Sequence, residues 1–358
     1  MNPEQMEQVA QHIRTLLEKV ETRDGIAAYV DENPTMAEEE SLLIALALAE
    51  RMGLRADLET ASLVTERLYW LAQHVESSHE LTALLSFSRL LRQLNRTSEV
   101  EALLESALLL VEKSGQEDFR GAVLLEQGIL WKKAQSEDKA ENALVEALSA
   151  FEASGDTFGQ SQAQLERGGV LRARGSLDEA KEIFEAALVL LEGLDAPIET
   201  ANAHLALGSL YREQGDFSEA EDAIQKALPL FQSANDARGL GSACQELGLL
   251  YRQLGHPEGA EAAFQNALQL FRQARFSLGI LSMSRELGEL LMEREQWDEA
   301  QEHLRQALAI GQNSASPQVN AGIAELLAML FRKQERLDEA EEILRRFPKV
   351  DEPSSPTV

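Results

Sequence analysis

Between Ala201 and Leu240 the apolar residues follow two helical phases. Ala203, His204, Leu207, Gly208, Leu210 and Tyr211 fall within about 160° of one another at the 100° per residue of an α-helix, a stripe broad enough to be buried. Gly215 then supplies a helix stop. A second phase, starting near Ser218, carries Ile224, Ala227, Leu228 and Phe231. The pattern predicts two amphipathic helices joined by a tight turn. Forty residues later the second stripe returns as Phe264, Ala267, Leu268 and Phe271.

That return is regular. Ala140, Ala180, Ala220, Ala260, Ala300 and Ala340 recur at one constant interval without slippage, and Val100 and Thr60 extend the column backwards. About eight units therefore run from residue 41 to residue 347. A helix pair this small cannot bury its apolar face alone, so each unit must stack on its neighbours. The expected fold is all-α, an α-solenoid of antiparallel helix pairs forming one elongated array.

Local signals refine the units. Ser218 and Glu221, like Ser98 and Glu101, are spaced as capping boxes; Asp138, Asp178, Asp298 and Asp338 occupy the same cap position, with acids at Glu179, Glu219, Glu299 and Glu339 following. Each acid there favours the positive end of the helix dipole. Gly128, Gly168, Gly208, Gly248 and Gly288 lie mid-helix, where glycine costs about 1 kcal/mol against alanine. Close approach of the paired helix, across the alanine column, is the expected compensation. Pro229 falls inside a second helix and removes one backbone hydrogen bond.

Residues 1–40 lack the repeat. They read as a helix from Pro3 to about Val20, a break at Gly25, and a fresh start after Asn33 and Pro34, where Thr35 and Glu38 form another capping-box spacing. The expectation is a helical N-terminal cap. At the other end, residues 348–358 are polar and proline-containing and are expected to be disordered.

The string LGSLYREQGDFSEAEDAIQKAL, carrying Leu207, Gly208, Tyr211, Gly215, Ala220, Ile224 and Ala227, resembles the tetratricopeptide repeat, and LGLLYRQLGHPEGAEAAFQNAL from Leu247 to Leu268 matches it equally. The 40-residue length is similar to the extended repeats of kinesin light chains, polarity adaptors and bacterial regulators. The likeness covers residues 81–347 and is weaker over 41–80, where Leu48 replaces the glycine. It implies a right-handed superhelix whose first helices line a concave groove that binds extended or helical peptides.

Composition narrows the partners. The chain carries 33 basic and 61 acidic residues, a net charge of −28, which repels nucleic acid and anionic membrane surfaces. The longest apolar run, Leu42 to Ala49, is far short of the roughly 20 residues that span a bilayer, and the N-terminus lacks the basic and apolar regions of a signal peptide. A cytoplasmic protein without nucleic-acid or membrane partners is expected. The single cysteine, Cys244, shares a column with Leu124, Gln164, His204, Ser284 and Ala324 and reads as a packing residue.

Chemistry is sparse. No phosphate-binding loop, dinucleotide fingerprint, nucleophile elbow or zinc-type cysteine pair is present, and His74 and His79 would point about 140° apart on a helix. Trp70, Trp131 and Trp297 sit at helical positions suited to packing. No enzyme activity, cofactor or metal is expected.

One column stands against the acidic bias. Arg92, Lys132, Arg172, Arg212, Arg252, Met292 and Arg332 occupy equivalent first-helix positions, and six of the seven are cationic. Where Met292 interrupts, Arg285 appears two helical turns earlier on the same face. No acid lies three or four residues before the cations, and only Asp216 and Glu335 lie four and three residues after one. Intrahelical pairing therefore does not explain the column, although acids of neighbouring repeats, such as Glu213 for Arg252 or Glu293 for Arg332, remain available. Beside the cations run Glu126, Glu166, Glu246 and Glu286, so the face is striped. Asn202, Ile129 and Leu249, with Leu125, Leu205, Leu326 and Met329, share it, either as groove anchors or as residues covered by the next repeat.

These features point to a non-catalytic scaffold or adaptor holding a partner's peptide segment, with acidic and apolar groups, in the groove. Two alternatives stand beside it: a peptide- or ligand-sensing regulator acting through protein contacts, and a structural protein that self-assembles into a homo-oligomer through its C-terminal repeat.

Overall fold

The computed structural model describes residues 3–54, 58–314 and 317–349. Among them there are helices and turns and no strand. Two compact units divide the chain, residues 1–194 and residues 195–358.

In the first unit, α1 (Pro3–Lys19) and α2 (Ile26–Glu32) precede four helix pairs: α3 (Glu39–Leu54) with α4 (Leu58–His74), α5 (Glu80–Gln93) with α6 (Thr97–Ser114), α7 (Arg120–Lys133) with α8 (Glu137–Ser154), and α9 (Thr157–Ala173) with α10 (Leu177–Leu191). The second unit holds four more: α11 (Pro197–Gln214) with α12 (Phe217–Ser233), α13 (Ala237–Gln253) with α14 (Pro257–Gln273), α15 (Ser277–Glu293) with α16 (Trp297–Ser314), and α17 (Pro317–Lys333) with α18 (Leu337–Arg346). Each pair packs on itself and on the next pair of its unit, the arrangement of an α-solenoid.

The columns become the core. Ala140, Ala180, Ala220, Ala260, Ala300 and Ala340 are all fully or almost fully buried, as are Phe184, Ile224, Phe264 and Leu304. The mid-helix glycines face this second set. A Cβ built on Gly248 would lie 2.4 Å from the Phe264 ring, and one on Gly208 would lie 2.7 Å from Ile224 and 3.2 Å from the Ala220 carbonyl oxygen. The glycine thus makes room chiefly for the residue four places after each alanine, with the alanine backbone alongside. Gly215 caps α11 at φ +86°, and Gln135 and Glu335 adopt the same left-handed conformation in other repeats.

The caps differ from the sequence expectation. Helix α12 starts at Phe217 with Asp216 as N-cap, and α6 starts at Thr97; neither cap residue makes a side-chain capping bond. Ser218 and Ser98 therefore sit inside the first turn, two residues past the cap position. Asp138, Asp178, Asp298 and Asp338 also lie in first turns, where they complement the dipole without capping. Side-chain caps appear instead on first helices: Asp156 accepts from the Gly159 amide at 2.8 Å, and Asp236 accepts from the Arg238 and Gly239 amides, both at 3.0 Å. Thr35 falls in a 3₁₀ turn, Pro34–Ala37, while Glu38 is extended, so that capping box does not form either.

Helices α1 and α2 pack on α3 and α4, with Val9, Ile13, Leu16, Val20, Ile26 and Tyr29 joining Leu42, Leu68 and Leu71 in one cluster. The Tyr29 hydroxyl donates to the His12 carbonyl at 3.0 Å, and burial pushes its pKa up to about 12. Of the tail expected to be disordered, residues 350–358 lie outside the described residues. Helix α12 runs continuously through Pro229. No helix among the described residues is long and apolar enough to cross a membrane.

Candidate functional site

Within each unit the first helices of successive pairs pack directly on one another: α3 on α5, α5 on α7 and α7 on α9 in the first unit, and α11 on α13, α13 on α15 and α15 on α17 in the second. The second helices of neighbouring pairs do not approach to the same extent. Two layers with unequal spacing must bend toward the tighter one, so in each unit the first-helix layer is the inner one.

Within each unit, cations of the column lie along that layer and are bonded to the next first helix. Arg92 Nη2 lies 3.2 Å from Glu126 Oε2, Lys132 pairs with Glu166, Arg212 Nε donates to Glu246 at 3.0 Å, and Arg252 Nη1 donates to Glu286 at 3.0 Å. Each acid follows its cation by the same 34 positions, on the first helix of the next repeat. The pairing runs forward along the chain, so Arg252 meets Glu293 at 2.5 Å and not Glu213. Glu126 is almost buried and also takes Arg89 Nε at 2.7 Å.

The ladder ends in a cluster on α15. Arg252 reaches Glu286, Glu289 and Glu293, while Arg285 reaches Glu286 at 2.6 Å and Glu289 at 3.5 Å. Burial, and then the Glu286 carboxylate, raise Glu289 above the ordinary carboxylate range. The next step of the ladder is apolar on both sides. Met292 replaces the cation, Leu326 replaces the acid at the matching position of the next first helix, and both pack on the cluster formed by α15 to α18. The two columns do not always change together, since the residue 34 positions after Arg172 is Ala206.

The other expected site residues separate into two groups. Ile129 packs against a cluster holding Ala163 and Val170 of the next repeat, and Leu249 against one holding Met283 and Leu287. They are half-buried helix contacts before they are anchors. Asn202 is exposed, Arg172 is half-buried, and Arg332 is exposed with no ion pair among the described residues. Arg89 and Glu289 were not singled out from sequence, although the constant offset between the two columns was there to be read.

The remaining candidates are structural. Trp131 packs in the α7–α8 cluster beneath the Lys139 ammonium, 4.2 Å from the ring centroid. Trp70 and Trp297 also pack against cores. His79 lies 3.1 Å from Glu39. Cys244 is partly buried against α14 and α15 residues, and burial pushes its thiol pKa up.

The family described as the MalT-like TPR region matches residues 164–355. No curated protein matches the sequence. Among solved structures, a signal transduction ATPase with a tetratricopeptide repeat sensor from Pyrococcus horikoshii is similar at 16% identity with a TM-score of 0.62, over 97% of this chain and 53% of that one. This chain therefore spans about half the length of that protein. The apo form of the quorum sensor NprR from B. thuringiensis is similar at 16% identity with a TM-score of 0.61, over 95% of this chain and 98% of its own. At these identities the likeness is one of fold.

Proposed function

The chain belongs to the MalT-like tetratricopeptide-repeat family, and from that premise we propose that it is a non-catalytic protein-interaction module whose inner first-helix layer holds a peptide segment of a partner. The observation that carries this reading is the striped ladder of alternating Arg or Lys and Glu along the tighter-packed layer.

The ladder shapes what the partner must offer. Arg92, Arg212 and Arg252 already share carboxylates, so a purely acidic peptide would have to displace glutamates held there at 3.0 to 3.2 Å. A segment presenting both signs, in step with the stripes, extends the existing pairs without breaking them. Such contacts set register and on-rate more than affinity. Affinity then comes from backbone and apolar contacts with the exposed positions between the stripes, such as Asn202.

The test begins with a random twelve-residue peptide library displayed on phage and selected against the whole chain. Selected peptides are then measured on Asn202→Trp, which fills the inner layer of the second unit, and on Gln225→Trp, at an exposed position of α12. Binding should fall at least tenfold on the first variant and stay unchanged on the second, with equal melting temperatures. Loss on the α12 variant with full binding on Asn202→Trp would overturn the assignment.

A further inference from the structure

Helix α17 presents an inner face unlike those before it. Gln318, Gly322, Glu325, Met329 and Arg332 form one exposed stripe, with Met329 52% exposed. The apolar residues at the Met329 position of earlier first helices, Ile129 and Leu249, are packed against cores that include the next repeat. Arg92, Arg212 and Arg252, which occupy the position of Arg332 on earlier first helices, are each bonded to a glutamate on the next first helix, whereas Arg332 has no ion pair among the described residues. A Cβ on Gly322 would meet nothing within 4 Å. The only ion pair given to Glu325 among the described residues is with Lys349 at 3.8 Å, and that lysine is 80% exposed.

We propose that this face docks on the same face of a second copy of the chain. The argument is its charge arrangement. Glu325 and Arg332 lie seven residues apart, two helical turns along one stripe, with Met329 between them. An isologous contact pairs residue i of one protomer with j of its partner and j with i. Two antiparallel α17 helices crossing beside Met329 bring Glu325 of each onto Arg332 of the other and cover both Met329 side chains. The stripe is thus its own complement, and each arginine gains a carboxylate of the kind that Arg92, Arg212 and Arg252 find in the next repeat.

Net charge does not oppose the approach at this point. Residues 317–349 carry six basic and six acidic side chains, in a chain whose total is −28. One helix face is smaller than the ~800 Å² per partner of a standard interface. Association is accordingly weak, and is read at protein concentrations on the order of 100 μM, the regime of small transient contacts.

Sedimentation equilibrium of the full chain supplies the test, using Glu325→Arg and Arg332→Glu separately and mixed one to one. Wild type should associate, and each variant alone should weaken association at least tenfold, because like charges then face each other across the contact. The mixture should recover it, since the all-positive face of one variant meets the all-negative face of the other. Circular dichroism checks that both variants keep the wild-type helicity. A monomeric wild type at that concentration, single variants that associate normally, or a mixture that stays monomeric would each overturn the proposal, the first and last leaving the face to another partner.

Discussion

Substituting Gly248 by alanine sets two effects of opposite sign against each other. Alanine in a helix interior is favoured over glycine by about 1 kcal/mol. The new Cβ, however, would stand 2.4 Å from Cδ1 and Cε1 of Phe264, against the ~3.5–4.0 Å at which carbon atoms rest. The obstacle is a fully buried ring and not the tip of a flexible chain, so relief requires the helices to separate. Overpacking of this kind costs about 1–3 kcal/mol, and a rigid ring places it near the upper end. Gly248→Ala should therefore destabilise by about 1–2 kcal/mol in net. Phe264→Ala alone should cost about 3–5 kcal/mol. In that background the added methyl enters vacated space, and Gly248→Ala should stabilise by about 1 kcal/mol. The implied coupling is about 2–3 kcal/mol, within the range of touching residues. Urea unfolding followed by far-ultraviolet circular dichroism measures all four proteins, with m-values compared to verify equal exposure on unfolding. If Gly248→Ala has the same sign in both backgrounds, the steric account of the glycine column is wrong.

Two further predictions concern the ladder and the caps. Glu126→Gln leaves Arg89 and Arg92 without a shared, almost buried carboxylate; because both arginines keep partial solvent access, the loss should be about 1–3 kcal/mol, below that of a fully buried pair. Lys19→Ala, at a pair with Glu32 that is more than half exposed on both sides, should cost less than about 1 kcal/mol, and urea midpoints of the two variants compare them directly. Asp236→Ala removes a cap holding two amides and should lower stability by about 0.5–2 kcal/mol, whereas Ser218→Ala, inside the first turn of α12, should change the melting temperature little; the reverse order would restore Ser218 as the cap.

Much of this protein is decided locally and is legible in its sequence. Helix pairs, the 40-residue period, the buried alanine column and the stop at Gly215 follow from side-chain periodicity and from the backbone freedom of glycine, neither of which needs knowledge of distant partners. The capping boxes at Ser218 and Ser98 failed by two residues. A turn joining two packed helices sets where the second one begins, and it places the cap at Asp216, two residues before Ser218. The cationic column was also visible, but its meaning was not. Whether Arg212 faces a ligand or Glu246 depends on the offset at which one first helix stacks on the next, and that offset is a property of the packed pair of repeats. The same stacking turns Ile129 and Leu249 into helix contacts and leaves Met329 in the open. Sequence determined which residues share a face; only the tertiary structure decided what each face meets, because the decisive neighbours belong to the next repeat, remote along the chain and in direct contact in space.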